Sequence, residues 1–582
     1  MQMMKASRLT ALLLFLALTT EAAIERHSWG IQGPQRAFRG SSIWIMVTSR
    51  FFHAYPASFD TANGRVIAEG NDFAVGEAVF FFPESGSVLP STLDSSLSYS
   101  VCEKSDDSVR VALRLVGTCG EHVRVKFVDK GTGTIKIGKI TNDAVDHVFL
   151  QSPVLPAGVT IGAVLCNGAV PCFQANGVPW AYGGGQLYWV RLDVSNNAAL
   201  GPGKVQFTFR CKEGRCPESN ITAPLTIQNL TPLPVNHPTS FPTIPDKSVW
   251  ESKMLTLAAK WCPNKSAGAV NPSPFPAKSG LSFGSAGENQ IWYYDGAWAY
   301  YQIADYTDDP GWNRCGDTIA NFYREAILAV DGRFSTYHRW FTDGLRRSSI
   351  NSDQKGKLAI ERVWDNNGTS IVSGSLTDAG MRETAYALET AIAAARIRGA
   401  TRFSGIADAA MKARVQRTAD QLLGLLMVYT DDNYTYFQSF MAGLGMRAAI
   451  EWYEFSEDKR VPVIVKGLVD MMNAEMWNKN SSFPNEMSWM RGAAVPGAGA
   501  GGPRCAYNCF PYPSAELHML FVPAWAWLWW MTGDPTYQTI GDAMWKAALK
   551  RDIGYSGKIF SQSFRWSFDY VAWREGKKPD RP

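Results

Sequence analysis

The sequence QIADYTDDP at residues 302–310 has counterparts in IEWYEFSEDKR at 450–460 and WLWWMTGDP at 527–535. Each begins as an apolar stretch rich in aromatic residues, breaks at a Thr/Ser-x-Asp turn and is followed by a second stretch with helical periodicity. The pattern predicts helical hairpins. Because a single hairpin cannot bury its own apolar faces, several must stack or close into a ring, so the predicted fold of this part is an (α/α) toroid.

The chain has 582 residues, which is enough for two or three domains. At 24–230, short alternating apolar segments between Gly, Pro, Asn and Ser turns predict one or two immunoglobulin-like β-sandwich modules. Five prolines at 231–246 predict a semi-rigid linker. Helical patterns then run through 247–573, and 574–582 is a charged tail. The predicted fold class is therefore multidomain β plus α.

Three insertions rich in Gly, Pro, Ser or Asn interrupt the helical pattern, at 263–286, 354–375 and 492–513. Stretches without secondary structure that exceed about 12–15 residues are uncommon in compact domains and are often functional. We therefore predict three loops here, with Trp489 beside the last of them.

The N-terminus indicates export. Residues 1–23 resemble a secretory signal peptide, with Lys5 and Arg8 before an apolar run at 9–18. That run is shorter than the ~20 residues that span a bilayer, so we expect a secreted or periplasmic protein without an integral membrane segment after cleavage. Export makes the ten cysteines candidates for disulfides, although spacing alone does not fix their connectivity. The simplest pairing joins neighbours: Cys102/Cys119, Cys166/Cys172, Cys211/Cys216, Cys262/Cys315 and Cys505/Cys509.

The composition excludes several classes of protein. A hydrophobic content of 46% with 19% charged residues is typical of a folded chain. The net charge of +4 is mild and Lys and Arg form no stripe, so we expect no nucleic-acid partner. The sequence has neither zinc-type Cys/His spacings nor the motifs of phosphate loops and serine hydrolases. We therefore expect no metal and no cofactor, and we look for catalysis by carboxylates.

Asp295 is the most unusual carboxylate. It is the only charge in IWYYDGAWAYY at 291–301, where the pattern predicts a buried helix that begins at residue 289. At helical spacing Asp295 shares a face with Trp292 and Trp298. A buried carboxylate acquires a raised pKa that suits general acid–base catalysis, and flat rings beside it suit a sugar. The alternative is a structural aspartate that pairs with an arginine such as Arg314 or Arg382.

The predicted starts of other inner helices provide further candidates. Their acidic members also have a structural explanation, because a carboxylate in the first turn favours the helix dipole and a lone histidine is more often structural. The aspartates of the repeated turns are weaker candidates, since Asp at a helix start accepts backbone N–H groups. The catalytic candidates besides Asp295 are Glu383 and Glu516; the candidates for binding substrate are Trp292, Tyr293, Trp298, Arg382, Gln438, Trp489 and His518; the predicted caps are Asp308, Asp309, Asp458 and Asp534.

The helical part resembles the (α/α)-toroid carbohydrate-active enzymes, of glycoside hydrolase or polysaccharide lyase type, that follow N-terminal β-sandwich modules. The residues that carry the resemblance are YDGAW at 294–298, the Thr/Ser-x-Asp turns and FRWSFDY at 564–570. It covers a little more than half of the chain, and it points to no specific family. The resemblance implies a polysaccharide or oligosaccharide substrate.

We expect a secreted enzyme that degrades glycans, of the glycoside hydrolase type; a polysaccharide lyase and a non-catalytic protein are the alternatives. In a hydrolase, Asp295 acts with Glu383 or Glu516 across the mouth of the ring, one carboxylic acid protonating the glycosidic oxygen and the other group activating water or attacking the sugar. In a lyase, His518 or a tyrosine removes a proton, and Arg382 neutralises a uronate. A non-catalytic glycan-binding or envelope protein would keep the aromatic walls without a second carboxylate near Asp295.

Overall fold

Strands come first along the chain and helices follow, as the sequence predicts. The strands of the two large sheets end at Gln228 and the first long helix begins at Lys247. The computed structural model describes residues 23–68, 73–75, 78–83, 87–93, 99–105, 108–113, 127–140, 148–166, 170–171, 173–174, 182–183, 187–211, 219–262, 291–329, 342–350, 354–367, 378–430, 437–477, 485–487, 490–491 and 515–581. The predicted signal peptide and the insertions at 263–286 and 492–513 lie almost wholly outside these ranges.

The strands belong to two large sheets and one short ribbon. They are β1 (Ala23–Gln32), β2 (Arg36–Phe38), β3 (Ser42–Asp60), β4 (Arg65–Ile67), β5 (Ala78–Pro83), β6 (Tyr99–Ser105), β7 (Ser108–Leu113), β8 (Ile135–Ile140), β9 (Val148–Val154), β10 (Val159–Cys166), β11 (Val170–Pro171), β12 (Phe173–Gln174), β13 (Tyr182–Gly183), β14 (Leu187–Val194), β15 (Gly201–Cys211), β16 (Ser219–Gln228), β17 (Phe437–Gln438) and β18 (Met490–Arg491).

The long strand β3 belongs to two groups of strands. Its first part pairs with β14. The second sheet has the strand order β12-β13-β9-β15-β16-β2. Val47 and Val190 of the β3–β14 pair share an apolar core with Phe207 and Leu225 of that second sheet. The second part of β3 starts a cycle of antiparallel pairs, β3-β4-β7-β6-β5-β8, that returns to β3 around a separate core. The β region therefore has two apolar cores.

In the described residues, the helical part consists of long helices and three short 3₁₀ turns. The helices are α1 (Lys247–Trp261), α2 (Gly296–Thr307), α3 (Asn313–Ala329), α4 (Asp343–Ile350), α5 (Gln354–Asn367), α6 (Asp378–Ile397), α7 (Ala409–Thr430), α8 (Ser439–Ser456), α9 (Arg460–Glu475), α10 (His518–Thr532), α11 (Pro535–Leu549) and α12 (Gly557–Arg574). Among the described residues, no helix is long and apolar enough to cross a membrane.

The even-numbered helices form a closed cycle of contacts, in the order α2-α12-α10-α8-α6-α4 and back to α2. The odd-numbered helices lie against the members of this cycle, so that α3 contacts α2, α7 contacts α6 and α8, and α11 contacts α10. Within the cycle, α10 is buried nearly all round, from His518 to Trp529. The starts of the six cyclic helices are where the candidate site residues lie.

Two element boundaries differ from the sequence-based prediction. The helix predicted from residue 289 begins only at Gly296, because residues 291–295 form a turn. The loop predicted at 354–375 contains α5, whose Ala359, Ile360, Val363 and Trp364 are buried at helical spacing. This helix is amphipathic, and the many polar residues between its apolar ones make the segment resemble a loop in sequence.

The repeated acidic turns are confirmed as helix caps at Asp309 and Asp534, whereas Asp458 lies one residue before Lys459, the N-cap of α9. Asp309 accepts the Gly311 N–H at 2.8 Å, Asp458 accepts the Arg460 N–H at 3.0 Å, and Asp534 accepts the Thr536 N–H at 2.8 Å. Asp308 instead ends α2 in the left-handed backbone region, with φ of 52°.

One predicted disulfide is confirmed, between Cys262 at the end of α1 and Cys315 in α3. Cys102 is also disulfide-bonded. Each of the other four predicted pairs includes residues or side chains outside the described part of the structure.

Candidate functional site

Asp295 ends a tight turn and caps α2. Tyr294 and Asp295 both have φ of 57°, a left-handed conformation that is uncommon for residues with a side chain. A Cβ on Gly296 would lie 2.0 Å from the Ile291 carbonyl oxygen, so only glycine fits where the turn meets the helix. Asp295 therefore does not share a helical face with Trp292 and Trp298, and that part of the sequence-based argument is wrong.

The Asp295 carboxylate is held by two backbone N–H groups from different helices. Oδ1 accepts the Trp298 N–H at 3.3 Å, and Oδ2 accepts the Gly344 N–H at 3.0 Å. The residue is only 2% exposed. Burial raises its pKa to about 6; the charge of Arg565 opposes this shift and that of Asp343 adds to it. Asp295 thus joins the start of α2 to the start of α4 and remains a weak acid near neutral pH.

Asp343 is a second carboxylate close to Asp295, and the sequence does not single it out as a site residue. Its backbone immediately precedes the Gly344 N–H that Asp295 accepts. Arg565 Nη2 donates to Asp343 Oδ2 at 2.9 Å, and Arg447 Nη2 lies 3.5 Å from the same oxygen. These arginines outweigh burial and lower the pKa of Asp343. The two neighbouring aspartates therefore have opposite pKa shifts.

A buried ion cluster extends from Asp343 through the helical cycle. Arg565 also donates to Glu389 Oε2 at 3.1 Å, and Arg447 donates to the other oxygen of Glu389. Arg447 also lies 3.5 Å from Glu451, one turn further along the same helix. We call Asp343, Glu389, Arg447, Glu451 and Arg565 the ion hub. Its members come from α4, α6, α8 and α12, so it links helices that are far apart in sequence.

A second group lies around Tyr293, just before Asp295. We call Tyr293, Tyr294, Tyr386, Arg382 and Glu383 the Tyr293 cluster. Arg382 Nε and Nη2 both lie 3.1 Å from Glu383 Oε1, and the two side chains are 17% and 12% exposed. Burial raises the pKa of the Tyr293 phenol, Arg382 opposes this shift, and Glu383 adds to it. The structure therefore brings three of the sequence-predicted site residues together.

Lys558, in the first turn of α12, lies next to the tyrosines of the Tyr293 cluster. Its Nζ lies 4.6 Å from the centre of the Tyr293 ring and 5.9 Å from that of Tyr294. Burial and the neighbouring charge of Arg382 lower the pKa of Lys558. The sequence analysis missed both Lys558 and Tyr386, because nothing in their local sequence marks them and only the helical cycle brings them to Tyr293.

The two predicted tryptophans have different surroundings. Trp292 stacks on Tyr323 with ring centres 6.2 Å apart and touches the Tyr293 ring. Trp298 is 1% exposed and belongs to the helical core. Trp292 therefore lies beside the Tyr293 cluster and Trp298 does not, although both rings are buried, at 7% and 1% exposed.

His518 is fully buried, and backbone groups engage both of its ring nitrogens. Nε2 accepts the Met487 N–H at 3.2 Å, and Nδ1 lies 2.9 Å from the Met544 carbonyl oxygen. Burial lowers its pKa to about 4. These contacts give His518 a structural role, fixing residue 487 and α11 against α10.

The remaining predicted residues lie near other helix starts. Glu516 is partly exposed in the 3₁₀ turn before α10, and its carbonyl oxygen accepts Gln562 Nε2 at 3.4 Å. Gln438 precedes α8 and pairs with Met490 in the short ribbon. Trp489 lies outside the described residues. Within the described residues, no three His, Cys, Asp or Glu side chains are arranged to hold a metal ion.

Comparisons with known proteins give distant likenesses. No protein-family model and no curated protein matches the sequence. A solved polysaccharide lyase is 12% identical with a TM-score of 0.32, over 87% of this chain and 78% of that one. A family 76 glycoside hydrolase from a bovine Bacteroides thetaiotaomicron strain is 10% identical with a TM-score of 0.26, over 71% and 75%. A mutant Salmonella alpha-2-macroglobulin is 9% identical with a TM-score of 0.23, over 94% and 37%.

The first two of these proteins are carbohydrate-active enzymes, the group that the sequence resemblance named. TM-scores this low carry no argument about the activity of this chain, which must rest on its own residues.

Proposed function

We propose that this chain is a glycan-degrading enzyme whose substrate binds at the Tyr293 cluster. The observation that carries the proposal is the combination, at one end of the helical cycle, of aromatic rings with an Arg–Glu pair that is partly open to solvent. A sugar ring stacks its apolar C–H face on an aromatic ring while its hydroxyl groups bind charged side chains. The cluster contains both kinds of group, aromatic rings and a charged pair.

The arrangement of the helices supports a matching architecture. We take the closed cycle of even-numbered helices as the inner ring of an (α/α) toroid and the odd-numbered helices as its outer layer. The strands before it are then immunoglobulin-like modules, and residues 1–23 are a signal peptide that directs the protein to the periplasm or the exterior. The disulfide between Cys262 and Cys315 agrees with an oxidising compartment.

Hydrolysis is one chemistry that fits this site. With a pKa of about 6, Asp295 keeps its proton to a higher pH than an ordinary carboxyl group, as a general acid for the glycosidic oxygen must. Glu383 would be the second carboxylate, which activates water or attacks the sugar. Glu516 is the alternative partner, since its backbone contacts α12 near Lys558.

Elimination is a second chemistry, favoured by Arg382 beside three phenols. Arg382 would hold the carboxylate of a uronic acid, which acidifies the proton on the adjacent carbon, and Glu383 would take that proton. The electron pair forms a C=C bond as the C–O bond to the leaving sugar breaks. Tyr293, kept protonated by its raised pKa, would donate its proton to the leaving oxygen.

A panel of neutral and acidic polysaccharides, incubated with the purified protein, tests the proposal. Hydrolysis produces new reducing ends without ultraviolet absorbance, whereas elimination produces both reducing ends and an absorbing unsaturated product. We expect Glu383→Gln to lower kcat by roughly a hundredfold or more in either chemistry, as loss of acid–base catalysis does. Absence of cleavage across the panel would reject the enzyme and leave a glycan-binding protein, which retention of bound oligosaccharide would then identify.

A further inference from the structure

Lys558 is a cation that the proposed chemistry does not use. It lies in the first turn of α12 and is half-buried over the rings of Tyr293 and Tyr294. Among the residues that the structure describes, no carboxylate lies within ion-pair distance of its ammonium group. A partly desolvated charge without a counter-ion is costly, so its position calls for a functional explanation.

The charges around Tyr293 do not balance. Arg382 and Lys558 are both positive, and Glu383, which Arg382 already holds, is the carboxylate beside them. The tyrosines add no negative charge, since burial raises the pKa of Tyr293 and keeps its phenol neutral. Among the described residues, two cations face one carboxylate here, and a bound anion would offset this excess of positive charge.

The helices add to this field. Arg382 lies in the first turns of α6 and Lys558 in the first turn of α12. Helix N-termini carry a partial positive charge, which attracts anions at short range. Lys558 also lies over the Tyr293 ring, and the charge of Arg382 acts on the Tyr293 phenol, so an anion bound by these two cations would lie next to that ring.

We propose that Lys558 and Arg382 together bind an acidic group on the sugar ring, and that the substrates are acidic glycans. This inference rests on the proposed function for the identity of the ligand as a glycan, and it holds for either chemistry. The acidic group is the carboxylate of a uronic acid or a sulfate ester, since both present oxygens that accept charged hydrogen bonds. Lys558 is then the residue that decides between acidic and neutral glycans.

The chain contains a matched control. Lys260 lies 4.8 Å from the ring of Trp261, the same kind of cation–aromatic contact, but it is exposed at the end of α1. If Lys558 served only to cover an aromatic ring, replacing either lysine would have a similar effect.

Titration calorimetry on the full-length protein tests this inference with three oligosaccharides. They are a uronic acid oligomer, the same oligomer after reduction of its carboxylates to alcohols, and a sulfated neutral oligomer. We expect wild type to bind at least one acidic oligomer and to bind the reduced one roughly tenfold or more weakly, as loss of a charged hydrogen bond predicts. The acidic oligomer that binds more tightly identifies the source of the anion.

The variants then assign the effect to Lys558. Lys558→Gln should weaken binding of the preferred acidic oligomer roughly tenfold and leave the reduced oligomer unaffected, whereas Lys558→Arg should retain most of the affinity. Added salt should weaken wild-type binding more than that of the glutamine variant. Lys260→Gln should bind like wild type, and circular dichroism checks that each variant is folded.

Two results would overturn the inference: no acidic oligomer binds more tightly than the reduced one, or Lys558→Gln binds like wild type. Cleavage of the same polymers, measured in parallel, separates this from the proposed function. Binding that depends on Lys558 without any cleavage rejects the enzyme and keeps the acidic ligand. Cleavage at equal rates on acidic and reduced polymers keeps the enzyme and rejects the role of Lys558.

Discussion

Asp295 shows how one side chain can hold two helices and remain a candidate acid. Its two oxygens accept N–H groups at the starts of α2 and α4, so the backbone fixes its position. The same burial that makes these hydrogen bonds strong also disfavours the ionised form. A raised pKa is therefore expected for a structural cap as well as for a catalytic acid, and the pKa alone does not separate them.

The pH dependence of stability tests the buried state of Asp295. Its pKa of about 6 in the folded protein is higher than the value of about 3.9 in an unfolded chain, so the folded state binds this proton more tightly. The stability that the group contributes is fully present below the unfolded pKa and is lost as the pH rises through about 6. The loss is on the order of 3 kcal/mol.

Asp295→Asn removes this titration and provides the reference. We expect the free energy of unfolding of wild type, minus that of the variant, to fall between about pH 4 and pH 7, measured by chemical denaturation at each pH. A difference that stays constant over this range would show that Asp295 is not buried as an uncharged acid.

At the level of elements, the ion hub connects helices that do not follow one another in the chain. Arg447 of α8 contacts Glu389 of α6, Glu451 of its own helix and Asp343 of α4. Buried ion pairs contribute little net stability compared with apolar residues, but removing one partner leaves the other charges buried and unpaired. The hub therefore constrains how the helices are arranged in the cycle.

Arg447→Met should lower the free energy of unfolding by about 3–5 kcal/mol, because it leaves four buried carboxylates, those of Asp343, Glu389, Glu451 and Asp569, without this counter-ion. Lys466→Met is the matched control, since Lys466 pairs with Asp470 at 2.6 Å on the surface of α9. An exposed pair of this kind is worth at most about 1 kcal/mol. Chemical denaturation measures both, and equal small losses would mean that the hub is not held by Arg447.

The sequence predicted which elements exist better than where they begin. The repeated turns identified α2, α8 and α10 because Thr/Ser-x-Asp combines a helix end with a cap for the next helix. The start of α2 was placed too early, since aromatic residues in the turn continue the apolar pattern of the helix. Helix α5 was missed because its apolar residues are spaced among Lys, Gln and Asn.

The candidate site was predictable only where a residue type is unusual in its own segment. Asp295 stands out as one charge in an aromatic run, and Arg382 and Glu383 as charges at a helix start. Lys558 and Asp343 have no such mark, and their importance comes from neighbours that are distant in the chain, as with Arg565 and Asp343, which are 222 residues apart. The sequence offers His518 as a residue that could bind substrate, but the side chain is buried and both ring nitrogens contact backbone groups.

On the scale of the whole molecule, the strands and helices share one core. Trp44 of β3 and Trp189 of β14 are buried in the same apolar cluster as the helices. Arg460, at the start of α9, donates to the Ser42 carbonyl oxygen at 3.4 Å. The residues at 231–246 also lie against the helices, where the Asn236 N–H donates to the Met531 carbonyl oxygen at 2.7 Å. The helical part is thus covered by the β region along one side.

This shared core predicts that the helical part depends on the strands. Trp44→Ala should lower the free energy of unfolding by about 3–5 kcal/mol, as truncation of a buried tryptophan does. A fragment of residues 231–582 should melt at a lower temperature than the full chain and bind a hydrophobic dye, because it exposes the surface that Trp44 and Trp189 cover. Far-ultraviolet circular dichroism follows the helices in each case.

Phe81→Ala is the control, since Phe81 is buried in the separate core of the β3–β8 cycle. It should destabilise that core while the melting of the helices changes less than in Trp44→Ala. A fragment that melts like the full chain and binds no dye would show instead that the helices fold independently. In that case the contacts of Trp44 and Trp189 would position the β region without stabilising the proposed site, and the Tyr293 cluster should bind glycans equally well in the fragment.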